Sequence, residues 1–231
     1  MTTAPYLPEI DLATFAPLPT EEKWKALQGF KQGRPPYSYK PVRQRLADLL
    51  RLETPMFGAP PEVPFERLAE AIRRDARTTA EAEANIRVAA SVFGARWKGR
   101  PQHFTAMSTT IGHRLSYWTP AVLNIDGRPV VPFFNPRQKG MPFHACRFVF
   151  SMMHEQIRVP DPDYAGVVFC INHFSAPKVG PRVMRSTYDD GIPLYEFDEL
   201  QRMVAETYAI WAEVWAGRIA EARRRGSGRS P

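Results

Sequence analysis

Residues 121–137 read AVLNIDGRPVVPFFNPR, and the Asp126-Gly127 pair within them constrains the fold more than any other feature. Two apolar runs rich in β-branched and aromatic side chains flank the pair. A tight two-residue turn needs positive φ at both central positions. Aspartate tolerates that conformation, glycine favours it, and the twist it produces matches that of paired strands. The pattern predicts a hairpin with RLSYWTPAVLNI as its first arm and RPVVPFFN as its second. Pro120, Pro129 and Pro132 lack a backbone donor, which places these strands at edges or makes them bulged.

Helical periodicity surrounds the hairpin. Thr20 is placed to cap a helix over 21–31, and a second helix is expected over 40–52, with Val42, Leu46, Leu49 and Leu50 on one face. Leu68, Ile72 and Ala76 mark a third. Thr78-Thr-Ala-Glu81 reads as a capping box that restarts the helix, which Gly94 ends. After the hairpin, PFHACRFVFSMMHEQIR predicts a helix with Phe143, Phe150 and Met153 as partial core contacts. GVVFCINHF predicts a buried strand. Asp198 is expected to cap a long C-terminal helix carrying Leu200, Val204, Tyr208, Trp211 and Trp215 on one stripe. A strand, a helix and another strand imply one crossover, so part of the sheet is parallel. The expected fold is α+β: a small mixed β-sheet flanked by helices, with an N-terminal helical arm and a long C-terminal helix.

Proline density divides the chain. Eleven of the 23 prolines fall in residues 1–64, which read as an N-terminal helical arm with too few large apolar residues for a core of its own. Residues 65–222 form the α+β core domain and 223–231 a basic disordered tail. No apolar run approaches the roughly 20 residues that span a bilayer, and the N-terminus lacks the basic and apolar regions of a signal peptide. These features read as a cytoplasmic protein without a membrane partner. Cys146 and Cys170 then read as buried thiols. The net charge is +7, and Arg223, Arg224, Arg225 and Arg229 supply more than half of it.

Helix, hairpin, helix and strand over about residues 78–175 resemble the PD-(D/E)XK, or restriction-endonuclease-like, superfamily at the level of topology. In that family a hairpin carries an aspartate and then an acid-x-lysine triplet that hold Mg²⁺ and orient water. The resemblance implies Asp126 as the first acid, with Glu81 or Glu83 assisting. The triplet position reads Asn135-Pro136-Arg137, where the family has an acid and a lysine. The implied catalytic set is Asp126, Glu81, Asn135 and Arg137, with Mg²⁺ if the protein is an active nuclease and otherwise no cofactor.

Other chemistries compete. Cys146 near a helix start, His173 on a strand and Asp189 beyond it have the order of a thiol enzyme, in which histidine activates cysteine and the acid orients histidine. Whether the chain is an enzyme stays open at this point, with a Mg²⁺-dependent nuclease preferred over a cysteine-based acyl transferase or hydrolase. His144, Cys146, Cys170 and His173 are zinc-type ligands. However, positions 170 and 173 of one strand point to opposite faces, so no metal site is assigned. Arg96-Trp97-Lys98-Gly99-Arg100 and the terminal arginines 223–225 suit phosphate contacts, with Trp97 able to stack on a base. Tyr208, Trp211 and Trp215 offer a protein-interaction surface, for a homodimer or another partner, wherever they are not core. The leading expectation is a nucleic-acid-binding protein of nuclease-like fold, catalytically weak or inactive. The alternative is a protein-interaction module using the C-terminal aromatic helix.

Overall fold

The computed structural model describes residues 4–30, 38–53, 62–175 and 182–227. The chain opens with α1 (Glu9–Phe15), α2 (Thr20–Gly29) and the short α3 (Lys40–Arg43) and α4 (Leu46–Leu49), then α5 (Phe65–Asp75) and α6 (Thr79–Gly94). Strands β1 (Lys98–Pro101), β2 (Met107–Ser108), β3 (Arg114–Leu115), β4 (Ala121–Ile125) and β5 (Arg128–Asn135) follow. Helix α7 (Phe143–Met153) crosses to β6 (Val168–Ser175), β7 (Val183–Tyr188) runs back alongside it, and α8 (Phe197–Ser227) comes last. The main sheet has the order β1-β4-β5-β6-β7, and β2 and β3 pair separately. Among the strand pairs of the described residues, β5 and β6 are the parallel one, as a helical crossover requires. The α+β class, mixed sheet and long C-terminal helix agree with the patterning of the chain.

Asp126 and Gly127 close the β4–β5 hairpin with φ of 51° and 79°. Asn124 Oδ1 adds an acceptor for the Gly127 N–H at 3.0 Å. The expectation that the proline-bearing strands are edges fails for β5, which is central. Within an extended strand, one residue's N–H and C=O point to the same side. The Pro132 carbonyl accepts from Thr119, on the β4 side, so its missing donor faces away from β6. The β4–β5 ladder ends at Leu123 and Val130, short of Pro132. Pro129 precedes the β5–β6 ladder, which begins at Val130. Both prolines therefore fall where no ladder bond is missing.

The sheet separates two cores. Val131, Phe133, Phe169 and Ile171 face α1, α2, α7 and α8, packing with Leu12, Leu27, Phe148 and Trp211. Val130, Phe134, Cys170 and Phe174 face the other side, with Leu49, Leu68, Ile72 and Val88. This period-two alternation on β5 and β6 buries both faces and explains the continuous apolar run of β6.

Local signals behaved unevenly. Thr78 caps α6 and accepts from the Glu81 N–H at 3.1 Å, as the capping box predicts. Helix α2 starts at Thr20 itself, whose hydroxyl donates instead to Glu206. The helix expected over 40–52 is broken into α3 and α4, with Leu52 bridging to Gly99. Asp198 lies inside the first turn of α8 rather than capping it. Phe143, expected to be a partial core contact, is 64% exposed.

Candidate functional site

The four residues implied by the nuclease resemblance do not converge. Asp126 occupies the hairpin turn. Asn135 lies at the other end of β5, seven positions beyond Arg128, roughly 23 Å at strand rise. Glu81 is held by the Arg77 guanidinium at 2.6 Å and by the Ser38 N–H at 3.1 Å. That guanidinium keeps its carboxyl below the ordinary range. Asn135 is fully buried and serves its own loop, donating to the Lys139 carbonyl and accepting from the Arg137 N–H. Arg137 forms a two-pronged pair with Asp11 at 2.6 and 2.7 Å.

In the thiol candidate set the acid lies apart from the histidine. Cys146 is buried, its thiol faces the Met141 carbonyl, and desolvation pushes its pKa up to about 11. No helix-dipole activation survives that desolvation. Asp189 pairs with Arg158 at 2.7 Å and accepts from the Phe169 N–H. Phe169 is four strand positions from His173, about 13 Å along β6. His173 Nδ1 is buried without a hydrogen-bond partner, and burial lowers its pKa. Among the described residues no three His, Cys, Asp or Glu side chains gather as metal ligands. His144 bonds the Thr14 carbonyl, and Cys170 faces the core opposite to that of Ile171.

The basic candidates split. Arg96, with φ of 53°, turns the chain from α6 into β1, and Trp97 packs partly into the α5–α6 core. Lys98 and Arg100 stand exposed on β1. Arg223 and Arg224 lie on the last turns of α8, which runs on through Arg225, whose side chain lies outside the described residues. On α8 the aromatic stripe turns inward. Tyr208 and Trp211 are buried, Trp211 donates to the Pro5 carbonyl, and Tyr208 accepts from the Leu7 N–H. Arg218 caps the end of α2 by donating to the carbonyls of Leu27, Gln28 and Phe30. The stripe thus binds the protein's own N-terminal segment.

The turn between β5 and α7 is one exposed surface among the described residues. Gln138, Lys139, Gly140, Pro142 and Phe143 are all exposed, above a base made of Asn135 and the Arg137–Asp11 pair. His144 fastens the far side of the turn to α1 through Thr14. Beside the turn, a cleft of about 830 Å³ is lined by Glu9, Tyr39, Arg43, Trp118, Phe134 and Arg137. Burial raises the Glu9 pKa, and Arg43 opposes that shift.

A family described as the sliding clamp-binding bacterial toxin SocB matches residues 10–221. The chain belongs to the SocB family. One relative, the DNA replication inhibitor toxin SocB of Caulobacter vibrioides (strain NA1000 / CB15N), is 33% identical over 229 residues, covering 97% of this chain and 96% of its own. No solved structure matches the chain. SocB membership corrects the PD-(D/E)XK resemblance, which rested on element order alone. It also overturns the nucleic-acid-binding, nuclease-like reading, since SocB is described by a protein contact. Net charge misled here because it says nothing of placement: several arginines serve internal pairs such as Arg77–Glu81, Arg137–Asp11 and Arg158–Asp189 rather than a polyanion surface. Among the described residues no helix is long and apolar enough to cross a membrane.

Proposed function

We propose that this protein binds a bacterial sliding clamp and inhibits DNA replication by occupying it. The observation that carries the reading is the extent of the SocB match, which runs from α1 into α8 and takes in both cores and the whole sheet. The shared unit is the entire fold, with the surfaces it presents. The side chains that pointed to bond-breaking chemistry support the same reading, because Glu81, Asn135, Arg137 and Asp189 are each engaged in local structure. A stoichiometric blocker needs a rigid surface and no nucleophile.

Primed-template DNA synthesis by a clamp-dependent polymerase tests this. Inhibition is expected to rise with the ratio of this protein to clamp and to be relieved by added clamp. Synthesis by a clamp-independent polymerase is expected to be untouched. Equal inhibition of both polymerases would contradict the reading and return attention to the template.

A further inference from the structure

We propose that the cleft between α1, α3 and the end of β5 binds a small aromatic molecule carrying an anionic group, held by Arg43 and the Tyr39 hydroxyl. This site is separate from clamp binding and does not depend on it.

The cleft follows from the way β4 leaves β5. Their ladder ends at Leu123 and Val130. Thr119 then donates to the Pro132 carbonyl, and β5 runs on to Asn135 beyond the ladder. The Phe134 N–H and carbonyl lie two positions past Pro132, so strand alternation points them to that same open side. No loop hydrogen bond takes them up among the described residues. Helices α1 and α3 supply the rest of the wall, with Glu9 at the start of one, Tyr39 just before the other and Arg43 at its end. The space measures about 830 Å³, a size at which proteins enclose small molecules.

Two cations here lack a counter-ion. Arg43 is exposed and makes no ion pair among the described residues. Arg182 is 5% exposed, and no carboxylate pairs with it among the described residues either. It donates to the Pro136 carbonyl at 2.6 Å and to the Tyr39 hydroxyl at 2.9 Å, and its Nε has no partner. Pro136 and Tyr39 both line the cleft, so this guanidinium sits directly behind the wall. A buried charge without a counter-ion is costly, and an anion in the cleft relieves that cost.

Tyr39 carries the effect of Arg182 into the cleft. Its oxygen accepts from Arg182, which leaves its own O–H with no acceptor among the described residues. The guanidinium polarises that O–H and strengthens it as a donor to an anion. Arg137, a third lining cation, is already neutralised by Asp11. Against Arg43 and Arg182 the wall sets one carboxyl, Glu9, so the balance favours an anion. Trp118, Phe133 and Phe134 complete the lining. Flat apolar walls beside cationic donors suit a ring better than a bare inorganic ion.

Fluorescence titration of the full chain with anilinonaphthalene sulfonate tests the proposal, with phenylnaphthylamine as the same ring system without the anion. The sulfonate dye is expected to saturate at one equivalent. Arg43→Gln is expected to weaken it about tenfold, and Tyr39→Phe about three- to fivefold. Neither substitution is expected to move the affinity of the neutral dye or the melting temperature. Val159→Asp, at an exposed apolar site outside the cleft, is expected to leave both dyes unchanged. Sulfonate affinity that ignores both Arg43→Gln and Tyr39→Phe would overturn the proposal. Equal weakening of both dyes would do the same, since it marks lost packing rather than a lost anion contact. Binding of several equivalents without saturation, or no binding of the sulfonate dye, would also overturn it.

Discussion

Arg137 reaches from the turn after β5 to Asp11 on α1 and holds both carboxylate oxygens, at 2.6 and 2.7 Å. The pair joins residues 126 positions apart and couples the N-terminal helix to the end of the central strand. It is partly exposed, so its contribution is modest, about 1 kcal/mol. Asp11→Ala and Arg137→Ala should each lower the urea midpoint by a similar amount. The double variant should be little worse than either single one, because both remove one interaction.

Gly99 shows how β1 joins the sheet. A Cβ at this position would collide with the Val122 carbonyl oxygen and meet the Leu123 Cα at 2.8 Å. Both are backbone atoms and cannot move without breaking the β1–β4 ladder. Gly99→Ala should therefore cost about 2–3 kcal/mol. Hydrogen exchange should show fast amides on β1 and at Glu53, whose N–H is bonded to Gly99.

The two cysteines should be inert in the native state. Desolvation raises each thiol to about 11, so almost none is thiolate at neutral pH. Iodoacetamide labelling at pH 7 should follow global unfolding, at the same rate for Cys146 and Cys170. Fast native-state labelling of Cys146 alone would revive the thiol-enzyme expectation.

Glu81 should contribute to acid sensitivity. The Arg77 guanidinium and two backbone N–H groups lower its pKa in the folded state, so the folded protein binds that proton less readily than the unfolded chain. Its stabilisation is complete above the ordinary carboxylate value near 4.5 and is lost as pH falls through the lower folded value. Chemical denaturation from pH 6 to pH 3 should show wild type losing more stability than Glu81→Gln. The two curves should converge at the acid end.

Much of the architecture was legible because it follows from local periodicity. The Asp126-Gly127 turn, the Thr78–Glu81 capping box and the two-sided burial of β6 each express a short-range rule. The failures came where tertiary context decides. Pro132 in isolation signals an edge or a bulge, yet its missing donor faces the side of β5 where the β4 ladder has already ended. Helix α1 was hidden because Pro8 and Pro17 bracket it and its seven residues carry little periodicity. Asp126 and Asn135 shared a hairpin in the sequence but lie at opposite ends of β5. Phe143 was indistinguishable from Phe148 and Phe150 in an apolar run, because the direction of one residue at a helix start is set only by how α7 packs. The partner was not legible at all. Nothing in composition or spacing names a sliding clamp, and the basic excess pointed to polyanions.

Isothermal titration of the full chain against a purified bacterial sliding clamp tests the central claim most directly. The account predicts saturable binding at a fixed ratio, unchanged when DNA is absent and persisting at moderate salt. Binding that appears only with DNA, or that disappears as salt rises while duplex DNA alone is bound, would contradict it.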